Sequence, residues 1–154
     1  HAIVQAGIPV MGHVGLTPQS IHQFGGYKVQ GKTFLDSKQV KQDAKDLQKA
    51  GAFSLVLEGI PQELATEITH DLKIPTIGIG AGSKCDGQIL VTHDLLGLNP
   101  EFTPKFVKHY AELSDAIQNA VTEFIDEVHS EVFPGPEHTY NLNKGSLKKV
   151  NHDR

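Results

Sequence analysis

Ala50-Gly51-Ala52-Phe53-Ser54-Leu55-Val56-Leu57-Glu58-Gly59 is the stretch on which the fold turns. A glycine stops a helical pattern, a short apolar run follows without polar alternation, and an acid and a second glycine close it. Apolar runs of this length between turn residues read as fully buried strands of a parallel sheet. The same grammar recurs in Ala6-Gly7-Ile8-Pro9-Val10-Met11-Gly12-His13 and in Lys73-Ile74-Pro75-Thr76-Ile77-Gly78-Ile79-Gly80-Ala81-Gly82. A weaker fourth run, Gln88-Ile89-Leu90-Val91-Thr92, follows an Asp86-Gly87 turn.

Between these runs the apolar spacing becomes helical. Ser37 or Asp36 is expected to cap a helix carrying Val40, Ala44, Leu47 and Ala50 on one face, with Gly51 ending it. Pro61 suits the first turn of a helix that turns Leu64, Ala65, Ile68 and Leu72 inward. The longest helix is expected to start at Thr103-Pro104, with Phe106, Tyr110, Leu113, Ile117, Val121, Phe124 and Val128 forming one stripe. Alternating strands and helices mean an α/β fold with right-handed crossovers. An open doubly wound sheet and a (β/α)8 barrel both satisfy this pattern, and both place function at the carboxyl ends of the strands.

The chain has 154 residues, about one domain, with a formal net charge of -4 and charged residues at 21%. An acidic balance does not suggest a nucleic-acid binder or a polybasic membrane binder. No apolar stretch approaches the roughly 20 residues of a membrane helix. The one cysteine, Cys85, permits no intramolecular disulfide and no CxxC motif, so a cytoplasmic compartment is expected. His1-Ala2-Ile3-Val4-Gln5-Ala6 reads as the tail of a helix rather than a leader. Residues 1–140 are expected to form the folded unit, and residues 141–154 a polar tail.

The strand-end rule selects His13, Glu58, the Gly80-Ala81-Gly82 loop and His93-Asp94. Glu58 closes an apolar run, where partial exclusion of water suits a general base; a plain ion pair or a solvated acid is the alternative. His13 lies between Gly12 and Val14-Gly15, where small neighbours permit close approach, and its imidazole can donate to a substrate oxygen or satisfy nearby backbone. Gly78-Ile79-Gly80-Ala81-Gly82 lacks the third glycine of a dinucleotide fingerprint, since Ser83 stands there, so tight packing or anion approach is the better reading. Cys85 reads as incidental. The nine histidines make no HxxxH or HExxH pattern, and no metal site is expected from this chain alone; His93-Asp94 reads as capping or packing. Phe24-Gly25-Gly26-Tyr27-Lys28-Val29-Gln30-Gly31 reads as a lid or a subunit contact.

Taken together these stretches resemble one family, ketopantoate (3-methyl-2-oxobutanoate) hydroxymethyltransferase. The resemblance is carried by Gly12-His13-Val14-Gly15-Leu16-Thr17-Pro18-Gln19-Ser20, by the Phe24–Gly31 loop and by Leu55-Val56-Leu57-Glu58. It continues through Ile77-Gly78-Ile79-Gly80-Ala81-Gly82, Asp86-Gly87-Gln88-Ile89-Leu90-Val91 and Pro134-Gly135-Pro136-Glu137-His138. It implies a (β/α)8 TIM barrel of the phosphoenolpyruvate/pyruvate superfamily type, of which this chain supplies the last four βα units. The implied reaction moves a hydroxymethyl unit from 5,10-methylenetetrahydrofolate to 3-methyl-2-oxobutanoate, giving 2-dehydropantoate for pantothenate and coenzyme A synthesis. Glu58 falls on the family's proton acceptor and His13 on a substrate-binding histidine. The resemblance further implies Mg²⁺, a homodecamer, and an amino-terminal half that carries the metal ligands and the substrate lysine. A Mg²⁺-dependent 2-oxo acid lyase of the same superfamily and a non-catalytic half-barrel are the rival expectations.

Overall fold

Four parallel strands lie side by side in the order in which the chain makes them: β1 (Met11–Gly15), β2 (Ser54–Glu58), β3 (Thr76–Ile79) and β4 (Gly87–Gln88). The structure, a computed structural model, describes residues 1–17 and 29–142. Of the polar tail expected over residues 141–154, residues 143–154 lie outside the described residues, as do residues 18–28 of the resemblance. Two compact units are present, one comprising His1–Ala111 and a second beginning at Glu112. The sheet belongs to the first, and its sequential parallel order fits part of a TIM-barrel wall. No described helix is long and apolar enough to cross a membrane.

Register separates the sheet into two faces. Gly12 and Val14 stand beside Leu55 and Leu57, and these beside Thr76 and Gly78. This face is dry: Val14, Leu55 and Leu57 pack with Val40 and Ala44 of α2 (Phe34–Lys49) and Leu64, Ala65 and Ile68 of α3 (Gln62–Asp71). The opposite face carries Met11, His13 and Gly15 beside Ser54, Val56 and Glu58, then Ile77 and Ile79. Met11 and the following Ile89 are half-exposed, so this second face is only partly covered.

The inward residues expected on both helices are those found there, but the start of α2 is earlier than the sequence suggested. Thr33, not Ser37 or Asp36, is the N-cap, its hydroxyl accepting from the Asp36 amide at 3.1 Å, while Asp36 supplies first-turn acid. Gly51 follows the C-cap at φ +98, the left-handed conformation that ends the helix. Pro61 is the N-cap of α3 rather than a first-turn residue. Lys41–Glu67 and Lys45–Asp71 ion pairs join the two helices, and Lys45 holds the Asp71 carboxyl below its ordinary range.

Two expected elements are shorter. The fourth strand is Gly87–Gln88 rather than residues 88–92: Ile89 makes the last rung to the Gly78 carbonyl at 3.0 Å, and β3 then turns away at Gly80, φ +63. The chain enters the single turn α4 (Thr92–Leu95) instead. The long helix starts at Ser114, as α5 (Ser114–His129), because residues 103–113 are fixed otherwise. The Phe106 ring lies so close to Gly80 that a Cβ there would stand 2.7 Å from it, and the Tyr110 amide donates to the Leu95 carbonyl at 2.9 Å. Tertiary contacts override the helical spacing there. In the second unit, α5 keeps its stripe of Ile117, Val121, Phe124 and Val128, each about half-exposed.

Leu57 is fully buried at the centre of the core. Leu57→Ala is expected to destabilise the fold by about 2–5 kcal/mol, read as a lower urea midpoint with an unchanged slope.

Candidate active site

Glu58 is the last residue of β2 and His13 the third of β1, on the same face of the sheet. Because Gly15 is the lateral neighbour of Glu58, no side chain stands between the carboxylate and His13. His13 Nε2 lies 3.0 Å from Glu58 Oε2, with the two side chains 32% and 18% exposed. The approach is off the line of a hydrogen bond, and the buried Nε2 has no hydrogen-bond partner among the described residues. A carboxylate beside an imidazole nitrogen that has no hydrogen-bond partner, at the carboxyl end of β2, makes a candidate site for proton transfer.

Gly15 fixes this geometry. It adopts φ +96, and a Cβ on it would sit 2.2 Å from the Glu58 carbonyl oxygen. Without that side chain the Leu16 amide reaches the same carbonyl at 2.8 Å and locks the ends of the two strands together.

The other strand-end candidates do not join this pair. No helix follows Gly82 directly, so the glycine loop lacks the helix N-terminus that holds a dinucleotide pyrophosphate. Its glycines serve packing, Gly80 under Phe106 and Gly82 against Gln62. His93 and Asp94 lie on α4 and make no side-chain cap. Cys85 packs against the core beside Thr69, Thr76 and Asp86, and burial pushes its thiol above the ordinary range. Asp86 accepts from the amide and hydroxyl of buried Thr76 at 2.8 and 3.0 Å, tying β4's approach to β3. Among the described residues no three His, Cys, Asp or Glu side chains converge as a metal site.

Above the Glu58 layer lies a cavity of about 790 Å³. Leu16, Gly59 and Gly80 line it, together with Gln62, Phe102 and Lys105. Sequence reasoning missed these last three residues. Gln62 follows Pro61 in the first turn expected of a helix, and Phe102 and Lys105 flank Thr103-Pro104, where the longest helix is expected to begin. The available signal was Gly80 itself, which invites a ring to pack on it.

The profile of the ketopantoate hydroxymethyltransferase family matches residues 1–136. The chain belongs to that family. It is 55% identical over 149 residues to the 3-methyl-2-oxobutanoate hydroxymethyltransferase of Enterococcus faecalis, covering 97% of this chain and 54% of the relative. The enzyme of the same name from Clostridioides difficile is 52% identical with the same coverage. That from Syntrophotalea carbinolica is 57% identical over 139 residues, 90% of this chain and 52% of the relative. The chain thus spans about half the length of the curated relatives it matches.

For this member of the ketopantoate hydroxymethyltransferase family, two outcomes follow from the site's geometry. Gly15→Ala is expected to separate the ends of β1 and β2, lowering the melting temperature by several degrees. Amide exchange at Leu16, which marks the lost hydrogen bond, checks it. Cys85 is expected to react slowly with iodoacetamide in the folded protein and quickly in denaturant, followed by intact mass.

Proposed function

We propose that this chain is the carboxyl-terminal half of a (β/α)8 barrel that transfers a hydroxymethyl unit from 5,10-methylenetetrahydrofolate to 3-methyl-2-oxobutanoate. The observation that carries the reading is the Glu58 carboxylate, at the carboxyl end of β2, set 3.0 Å from His13 Nε2. Family membership and the names of the relatives support it, and favour it over a lyase or a non-catalytic half-barrel.

Glu58 removes the proton from the carbon beside the substrate ketone. The electron pair released delocalises into the keto group as an enolate, whose carbon forms the new bond to the donor's methylene carbon. That carbon reaches the enolate after water has added to it and both of its C–N bonds have broken, releasing tetrahydrofolate and leaving a formaldehyde-level carbonyl. The alkoxide formed on addition takes the proton back from Glu58 and becomes the hydroxyl of 2-dehydropantoate. His13 Nε2, otherwise unsatisfied, donates to a substrate oxygen and orients the acidic C–H toward Glu58.

The family's chemistry implies Mg²⁺, which supplies Lewis acidity to a bound 2-oxo acid. The described residues do not fit such a site on their own: Mg²⁺ wants an octahedron of oxygens, and no three ligating side chains gather here. On this reading its ligands, and the substrate lysine, come from the barrel's other half. That half also covers the Met11 and Ile89 face. Assembly of the whole as a homodecamer in the cytoplasm completes the proposal.

Glu58→Gln in the full-length enzyme is expected to lower turnover by roughly 10²–10⁴-fold while leaving the melting temperature within a few degrees. Loss of deuterium exchange at the substrate C3 position would place the defect at proton removal. Near-normal turnover in the folded variant would remove Glu58 as the base.

A further inference from the structure

The sheet face that carries Glu58 is lopsided in its chemistry. Two rows of laterally paired residues lie there: Gly15, Glu58 and Ile79 at the rim, and His13, Val56, Ile77 and Gly87 one step beneath. The two side chains in these rows that can ionise or hydrogen-bond, His13 and Glu58, stand on β1 and β2. From Val56 toward β4 the side chains are hydrocarbon alone. A branched 2-oxo acid is divided in the same way, with oxygens at one end and methyl groups at the other. Set with its oxygens at His13, it lays its branch toward β3. Ile79, only 5% exposed, is closed off, whereas Val56 and Ile77 are half-buried and keep surface to offer.

The Ile77 side chain does not stand midway between its neighbours. A Cβ built on Gly87 would lie 2.9 Å from Ile77 Cδ1. Paired positions on neighbouring strands are about 5 Å apart, so this terminal methyl reaches across most of the gap to β4 and leans away from Val56. Gly87 allows the lean simply by having no side chain, because its φ lies outside the left-handed region and places no demand for glycine. The space left open is a corner between Val56 and Ile77. It adjoins His13 in the same row and lies two residues, roughly 7 Å, beneath Glu58 along the strand.

We propose that the corner between Val56 and Ile77 receives the branched end of the 2-oxo acid, and that Gly87, without touching it, sets how large a branch fits. The inference rests on the transferase reading and adds to it the residues that choose among 2-oxo acids. With the methyl groups in the corner and the oxygens at His13, the remaining C3–H bond turns up toward Glu58. Gly87 is a positioning residue that acts through Ile77. An alanine in its place drives Cδ1, the far end of a flexible side chain, back toward Val56 and closes the corner at little cost to the fold.

The test follows exchange of the C3 proton for deuterium in the full-length enzyme, a step that needs no one-carbon donor. Three acids are compared: 3-methyl-2-oxobutanoate, 2-oxobutanoate with one methyl fewer, and 3-methyl-2-oxopentanoate with one carbon more. Gly87→Ala is expected to lower kcat/KM roughly tenfold for 3-methyl-2-oxobutanoate and to leave 2-oxobutanoate within about twofold. Ile77→Val removes the Cδ1 that the alanine displaces. Added to Gly87→Ala, it returns 3-methyl-2-oxobutanoate to within about threefold of wild type. Val56→Ala deepens the corner from its other wall, and raises kcat/KM for 3-methyl-2-oxopentanoate relative to 3-methyl-2-oxobutanoate roughly tenfold, an arm that stands even where Gly87→Ala does not fold. Equal losses on all three acids, an unaltered preference, or no rescue by Ile77→Val overturns the proposal. Exchange with the expected preferences but without folate-dependent turnover sinks the transferase reading alone. Wild-type enzyme that exchanges no C3 proton sinks both.

Discussion

One backbone hydrogen bond, from the Leu16 amide to the Glu58 carbonyl at 2.8 Å, governs the working end of this molecule. It exists because Gly15 has no side chain in the 2.2 Å that would separate a Cβ from that carbonyl. The bond sets how far β1 runs beside β2, and so sets His13 opposite Val56 with Glu58 one step above. The 3.0 Å approach of imidazole and carboxylate becomes possible in this register. The rim cavity depends on it too, since Leu16 and Gly59 form adjacent parts of its wall.

The two faces of the sheet divide stability from chemistry. Val14, Leu55 and Leu57 are closed off by α2 and α3, and the ion pairs and the Gln48 side chain, which accepts from the Lys73 amide at 2.6 Å, hold those helices in place. The other face carries the titratable groups and remains partly open. Function at the rim can thus tolerate exposed polar atoms without weakening the core beneath.

The sequence made the sheet and the inward helix faces plain because each is encoded locally. Phe53 to Leu57 is too short and too apolar for a surface helix, and Leu64, Ala65, Ile68 and Leu72 repeat at helical spacing. Glu58 stands at a strand end as its place in the sequence suggests, whereas His13, expected at the equivalent position, lies two residues inside β1 opposite Val56. Their proximity follows from parallel register. The failures have a common physical source. Phe106 and Tyr110 continue the stripe of α5 perfectly well, yet a ring on Gly80 and an amide bond to Leu95 settle residues 103–113 otherwise. Spacing along a chain carries no information about a glycine elsewhere that offers a better seat. The same blindness hid Phe102 and Lys105, whose significance arises only when residues distant in sequence surround one space.

The sequential strand order has a kinetic corollary. The chain separating paired residues shortens at each step, from Met11 and Ser54, to Leu55 and Thr76, to Ile77 and Gly87. Shorter closures cost less entropy and happen sooner, so nucleation favours the β3–β4 side and growth proceeds backwards toward β1. His13 would then reach Glu58 among the last events of folding, and the imidazole–carboxylate pair would be completed only after its scaffold has set.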